Sequence, residues 1–156
     1  MIPFLLVKKD YVNEYGKKEE RNMNKQGTAG VGRGEEKPRK RKELISVSAD
    51  GANFKEIFPG VSRAVLWGNP DIGSYGAFTK FAPGLDAGMH MHTNDIWLVV
   101  LKGAYLYRDA AGEKRVGPGE FLRIPGGMKH WSGGDGMEGA LFYDESSGKF
   151  DLVTAN

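Results

Sequence analysis

The sequence predicts an all-β protein, a sandwich or barrel with little helix. From residue 44 onward, short apolar runs are separated by clusters of Gly, Pro, Asn and Asp at intervals of roughly ten residues, as in such folds. Glycine supplies 23 of the 156 residues, about twice its usual share of ~7%. No long segment shows the apolar period of 3.6 residues that an amphipathic helix requires. These patterns favour many short strands joined by turns.

Turn residues divide the compact part of the chain into seven predicted strands. They are Arg63 to Trp67, Tyr75 to Phe81, Ile96 to Leu101, Ala104 to Arg108, Lys114 to Val116, Glu120 to Ile124 and Gly139 to Asp144.

The strand at 96–101 is apolar on both of its alternating faces. Such a strand should be covered on both sides, and a single small sandwich covers only one of them. We therefore expect a homodimer that buries Trp97, Val99 and Leu101. The alternative is that the chain covers this face itself, with residues 54–58 or 2–7.

By composition the chain divides into a charged N-terminal arm, residues 1–43, and a β-domain, residues 44–156. The arm holds 12 of the 22 Lys and Arg residues and 7 of the 20 Asp and Glu residues. Beyond Asn13 it has almost no large apolar side chain, so it cannot bury enough surface to offset the entropy cost of ordering. We expect this arm to be flexible.

Charge and hydropathy exclude several classes of partner. A net charge of +2 is too small to indicate nucleic acid, and the basic cluster at 39–42 is typical of a solvated tail. No stretch reaches the ~18–20 apolar residues that would cross a membrane. The apolar run at 2–7 is followed, not preceded, by lysines and lacks a cleavage site, so we do not expect a signal peptide there. We expect a cytoplasmic protein with a small-molecule substrate.

The three histidines are the strongest chemical signal. The chain has no cysteine, so a metal must be held by His, carboxylate or water. His90 and His92 would project to the same face of a strand. His130 follows a tight turn at 125–129, which can bring a third imidazole beside them. Three neutral imidazoles suit Fe(II), Zn, Cu, Ni or Mn and leave coordination positions open for substrate or water.

Glycines and a proline frame these histidines at fixed intervals. The framed positions are Gly84, His90, His92, Gly103, Gly119, Pro125, Gly127 and His130. Their order and spacing resemble the two motifs of the cupin superfamily, G-x5-H-x-H-x3,4-E-x6-G and G-x5-P-x-G-x2-H-x3-N. The resemblance implies a double-stranded β-helix, which is a jelly-roll-like barrel, and one divalent metal ion held by His90, His92 and His130.

Two positions depart from these motifs. Ile96 stands at the place of the glutamate ligand, and Gly134 stands at the place of the final asparagine. Asp95 lies one residue from the glutamate position, and in an unbroken strand that offset would turn it to the opposite face. A rephasing turn at 93–95 would make it a fourth ligand or a partner of a ligand, but we expect solvent contact or turn capping. The simplest site is therefore a three-histidine site.

Alternation along the strands predicts the walls of the pocket. The apolar wall on the side of the histidines should consist of Ile96, Leu98 and Val100. On the strand at 75–81, Phe78 and Lys80 share one face and Tyr75 lies on the other, so either Lys80 or Tyr75 would supply a polar contact. We expect Phe78 and Lys80 to line the pocket.

Further phrases, including 64–70, 75–81, 90–95 and 150–151, are similar to a smaller cupin branch of acetylacetone-dioxygenase-like and ChrR-like proteins. The resemblance implies a mononuclear non-haem metal enzyme, with Fe(II) favoured, that acts with O2 on a small carbonyl or enol substrate. Two alternatives stay open: an isomerase or lyase that uses Zn, Mn or Ni, and a non-catalytic domain that senses or stores a metal or small ligand. The lack of an evident proton-transfer residue favours the non-catalytic alternative.

Overall fold

A computed structural model describes residues 43–154. The predicted flexible arm therefore lies outside the described residues, apart from its last residue. Within the described range there are eleven strands and no helix, and accordingly no helix that could span a membrane. The strands are β1 Lys55–Phe58, β2 Val61–Gly68, β3 Tyr75–Phe81, β4 Asp86–Met91, β5 Ile96–Gly103, β6 Tyr105–Asp109, β7 Gly112–Val116, β8 Phe121–Ile124, β9 His130–Gly134, β10 Ala140–Ser146 and β11 Val153–Thr154.

The strands form two antiparallel sheets. The larger sheet has six strands in the order β1-β2-β3-β10-β5-β8, and the smaller sheet has five in the order β11-β4-β9-β6-β7. Successive strands often lie in different sheets, as in a jelly-roll barrel. The predicted all-β, double-stranded β-helix fold is confirmed.

All seven predicted strands are present, with ends shifted by a few residues. Four further strands, β1, β4, β9 and β11, are not among these seven, although the shared face expected of His90 and His92 requires an extended segment where β4 lies. Both β4 and β9 contain glycine and polar residues, which have little intrinsic preference for strands. They are extended because they pair with each other and with strands on either side. These two strands carry the histidine site.

The core lies between the inner faces of the two sheets. Its buried members are Ile96, Leu98, Val100, Tyr105, Tyr107, Val116, Ile124, Ala140 and Phe142. Burial of each large apolar side chain contributes about 1.5–3 kcal/mol. Part of the interior next to this core remains open as a cavity that His90 and His92 line.

The outer face of the larger sheet is only partly covered. Near β3 the ring of Phe54 lies over Lys80, with Nζ 3.7 Å from the ring centroid. On β5, Trp97 and Val99 are half-buried and Leu101 is exposed. The chain thus covers part of this face with its own preceding segment, and the homodimer stays a prediction.

Candidate metal centre

Strand pairing brings the three histidines together. His90 on β4 lies directly opposite His130 on β9, and His92 follows the end of β4. The ring centroid of His90 lies 5.0 Å from that of His92 and 4.3 Å from that of His130. One candidate ligand nitrogen from each ring falls within 4.8 Å of the other two. The geometry therefore allows all three imidazoles to hold one ion.

A glycine turn fixes the position of His130. The Gly127 N–H donates to the His92 carbonyl oxygen at 2.7 Å, which joins the turn to the first histidine pair. Gly127 has a φ of +76°, a conformation that favours glycine. A Cβ at Gly126 would collide with the Thr93 carbonyl oxygen. The turn therefore requires glycine at both positions.

Asp95 supports this turn and does not face the histidines. Its Oδ1 accepts the Gly126 N–H at 2.9 Å. Its Oδ2 accepts from Arg123 Nε and Nη2 at 2.9 and 2.6 Å. The Gly126 N–H and the Arg123 guanidinium hold the pKa of Asp95 below its usual range. With both oxygens engaged, Asp95 is not placed as a fourth ligand; it caps the turn.

Each imidazole uses Nδ1 to hold its orientation. The Nδ1–H groups of His90, His92 and His130 donate to the carbonyl oxygens of Gly88, Asp151 and Met128 at 2.9, 2.5 and 3.0 Å. A carbonyl can only accept, so each ring carries its proton on Nδ1 and presents a lone pair on Nε2. The Nε2 of His130 is buried and, among the described residues, has no hydrogen-bond partner. Such an orphaned acceptor fits a ligand to a metal ion.

Burial keeps these histidines neutral. It lowers the pKa of His130 to about 4, and it lowers the pKa of His90 and His92 from the usual 6.5. Backbone carbonyls oppose this effect only partly. Neutral imidazoles are the form that binds metal, and three of them fit a borderline divalent ion.

The cavity beside the histidines has a volume of about 60 Å³. Ile96 and Leu98 line it, whereas Val100 lies on the same face within the core. Phe78 and Lys80 do not line it, contrary to the prediction. Phe78 packs edge-on against Tyr143 on the outer face, and Lys80 is exposed. Alternation identified the two faces of β3 but assigned the wrong one to the interior.

The inner face of the larger sheet instead carries a buried polar cluster, defined here as Arg63, Tyr75, Thr79 and Asp144. All four residues line the cavity together with His90 and His92. Asp144 accepts from the Thr79 hydroxyl at 2.6 Å and from the Tyr75 hydroxyl at 3.2 Å. Burial raises the pKa of the Asp144 carboxyl, and Arg63 partly offsets that rise. The cavity therefore contains a buried carboxyl, which the sequence pattern does not reveal.

Of this cluster, only Tyr75 is a candidate contact by sequence. The signal for the others is a polar residue at an inward position of an otherwise apolar strand. Arg63 follows Val61 by two residues in β2, and Asp144 follows Phe142 by two residues in β10.

The segment after β10 closes one side of the cavity. Phe150 and Leu152 line the cavity, and the Phe150 ring lies 5.5 Å from that of His92. The Asp151 carboxylate accepts from the Thr93 N–H at 2.8 Å and from the Thr93 hydroxyl at 2.5 Å. These bonds hold the Asp151 carbonyl against His92, so the segment orients one of the three imidazoles.

Tyr107 supports the third imidazole. Its ring stacks on His130 with a centroid distance of 5.5 Å and an interplanar angle of 17°. Its hydroxyl donates to Asp109 Oδ2 at 2.8 Å. Burial, helped by the hydrogen bond to Asp109, raises the pKa of Tyr107 to about 12. Tyr107 therefore stays neutral and limits the rotation of the His130 ring.

Comparisons with known proteins agree with the fold. The profile described as "Cupin domain" matches residues 77–144. The polyketide cyclase RemF from Streptomyces resistomycificus shares the fold at a TM-score of 0.61 with 18% identity, over 73% of this chain and 87% of that one. An RmlC-like cupin from Shewanella frigidimarina has a TM-score of 0.55 and 19% identity, over 68% of this chain and 92% of that one.

KdgF from Halomonas sp. has a TM-score of 0.52 and 21% identity, over 63% of this chain and 90% of that one. At these identities the likeness concerns the fold alone. Among curated proteins, none matches the sequence.

Proposed function

The chain belongs to the cupin superfamily, and from that premise we propose that it is a mononuclear metal enzyme acting with O2 on a small carbonyl or enol compound. His90, His92 and His130 would hold one divalent ion, with Fe(II) favoured. When bound, that ion would polarise the substrate's carbonyl oxygens and, as Fe(II), supply electrons for reaction with O2.

One observation carries this proposal: three buried imidazoles converge, each with Nδ1 already engaged. Two of the three, His90 and His130, come from directly paired positions on adjacent strands. The unpartnered Nε2 of His130 is costly to bury unless a ligand compensates it. Purely structural histidines would be expected to use both nitrogens within the protein.

The surrounding residues favour a small and largely apolar substrate. Ile96, Leu98 and Phe142 exclude water from one side of the cavity. A cavity volume of about 60 Å³ favours a small substrate. The cavity walls hold the substrate's carbonyl end against the histidines, which lowers the entropy cost of the reaction.

A second candidate is an isomerase or lyase that uses Zn, Mn or Ni. The observation that favours it is the Asp144 carboxyl, which hydrogen-bonds to Tyr75 and lines the same cavity as the histidines. Its raised pKa brings the carboxyl closer to the range in which it takes up and returns a proton.

Metal analysis followed by two assays distinguishes these candidates. Purified protein is analysed for metal content, and the metal-free protein is loaded anaerobically with Fe(II), Zn, Mn or Ni. An oxygen electrode then follows O2 uptake with acetylacetone and related β-dicarbonyls, and NMR follows exchange of the α-hydrogens with deuterium from solvent. The matched control is His130→Gln, which keeps a polar side chain of similar size.

We expect O2 uptake only with Fe(II) and only in the wild-type protein. Deuterium exchange with Zn, Mn or Ni and no O2 uptake would favour the second candidate. A tightly held metal without either activity would favour a sensing or storage cupin. Failure of the wild-type protein to retain any metal would reject the proposed site.

A further inference from the structure

Arg63 is a buried cation with unused hydrogen-bond donors. It is 8% exposed. Its Nε donates to the Thr79 hydroxyl at 3.3 Å, and its Nη2 lies 3.8 Å from Asp144 Oδ2, beyond hydrogen-bond distance. Within residues 43–154 no other protein acceptor is bonded to the guanidinium. An arginine has five N–H donors, so most of them remain available.

Asp144 offsets the charge of Arg63 but accepts no hydrogen bond from it. Its two oxygens already accept from Thr79 and Tyr75. Cation–π contacts hold the guanidinium, with Cζ 4.1 Å from the ring centroid of Phe150 and 5.1 Å from that of Tyr75. These contacts fix the position of the guanidinium without using its N–H donors.

The location of Arg63 suits a residue that meets a ligand. It lines the cavity beside the histidines and also a surface groove of about 550 Å³ that Lys55 and Val65 border. The ring centroid of Phe150 lies 4.1 Å from Arg63 Cζ and 5.5 Å from the ring centroid of His92. One aromatic ring therefore spans the gap between the guanidinium and the histidine site.

We propose that Arg63 binds the carboxylate of a small oxo-acid whose carbonyl end faces the three histidines. This inference rests on the proposed function and narrows its substrate class. A guanidinium presents paired N–H donors that match the two oxygens of a carboxylate. Because Asp144 already offsets part of the charge, the site suits one negative charge better than two, and the apolar walls suit a short alkyl chain.

The test compares two ligands of nearly equal size, acetoacetate and acetylacetone, which differ by a carboxylate oxygen in place of a methyl group. Binding is measured by calorimetry to the full-length, Zn-loaded protein, so that no redox turnover intervenes. We expect the wild-type protein to prefer acetoacetate. Arg63→Met should weaken acetoacetate about tenfold or more, because a charge-assisted pair is lost. Acetylacetone should change by less than about threefold, since it makes no such pair.

Companion variants separate ligand binding from folding. Arg63→Lys keeps the charge but not the paired donors, so an intermediate loss is expected. If the single variant Arg63→Met does not fold, the double variant Arg63→Met, Asp144→Asn is used instead. It lacks both buried charges, so we expect it to fold. Arg108→Met, which removes an exposed arginine on β6, is the control for charge alone.

Two results would overturn the assignment: no preference for acetoacetate in the wild-type protein, including no binding of either compound, or an equal loss of both ligands in Arg63→Met. Zinc uptake is measured first in each protein. Absence of zinc from the wild-type protein would reject the proposed function and this inference with it. Normal zinc uptake without the carboxylate preference would reject the Arg63 assignment alone.

Discussion

The two walls of the cavity satisfy their polar atoms in different ways. On the smaller sheet, each histidine gives Nδ1–H to a backbone carbonyl and turns Nε2 toward the other histidines. On the larger sheet, the buried polar cluster is bonded mainly to itself, through Thr79 and Tyr75 to Asp144. The histidine wall is thus prepared for an added ion, whereas the cluster also stabilises the fold. Substitutions in the two walls should therefore have different consequences.

Loss of His130 should have the largest effect on metal binding. His130→Ala removes a ligand that is fully buried, so we expect metal affinity to fall by at least about a hundredfold. The metal-free variant should unfold at a somewhat lower temperature than the metal-free wild type, because the ring's hydrogen bond to the Met128 carbonyl and its stacking on Tyr107 are lost. Elemental analysis after dialysis and thermal unfolding give the two values. Full metal occupancy in the variant would contradict the site.

Loss of Asp144 should reverse this pattern. Asp144→Ala leaves Arg63 buried without its counter-ion, and breaking such a pair costs about 3–5 kcal/mol of unfolding free energy. Metal stoichiometry should be unchanged, because no histidine is bonded to Asp144. Urea unfolding and elemental analysis are the measurements.

The control is Glu145→Ala, one residue further along β10 and on its outer face. Glu145 accepts a hydrogen bond from the Tyr143 hydroxyl at 3.0 Å, so its loss should cost about 1 kcal/mol or less. If Asp144→Ala lost metal while keeping its stability, the two walls would not differ as described.

The same difference decides what could be predicted from the sequence. The histidines can be identified because glycines and a proline frame them within one stretch, in an order and spacing that resemble the two cupin motifs. The polar cluster depends on the register of three strands, in which Arg63 lies opposite Thr79 and Thr79 opposite Phe142. Local spacing does not encode that register, so Arg63 and Asp144 escaped detection.

One error has a similarly physical cause. Alternation separates two faces of a strand without saying which one is inside, so Phe78 and Lys80 are expected in the pocket but lie on the outer face. For Asp95 the expectation is solvent contact or turn capping and not ligation, and its oxygens accept from Gly126 and Arg123. In both cases the deciding contact comes from a residue distant in the chain.

A smaller effect is expected from the segment that orients His92. Asp151→Ala keeps the backbone carbonyl that receives the His92 Nδ1–H, but it removes the carboxylate that anchors this carbonyl to Thr93. Metal affinity should fall about tenfold, as is usual when the partner of a ligand is disturbed. A competition titration with a zinc chelator measures it.

The control for this variant is Asp71→Ala, an exposed loop aspartate whose side chain makes no hydrogen bond to any described residue. Thr93→Val should reproduce the loss of metal affinity, because it removes the hydroxyl that donates to the Asp151 carboxylate. Equal affinity in Asp151→Ala and Asp71→Ala would mean that the Asp151 carboxylate does not act on His92.

The smallest effect on the cavity should come from the opposite face of the larger sheet, where we propose a homodimer contact. Val99 is flanked there by its register partners Phe121 and Tyr143, and Phe121 is 62% exposed. Burial of such side chains contributes roughly 1.5–3 kcal/mol each before association costs, enough in sum to favour a symmetric pair.

We expect sedimentation at micromolar concentration to show twice the chain mass of 17.1 kDa. Phe121→Glu should shift it to the monomer with melting temperature and metal content unchanged, whereas Ile72→Glu, on an exposed loop, should not. A wild-type protein that sediments as a monomer would reject the proposed dimer and leave both walls of the cavity as described.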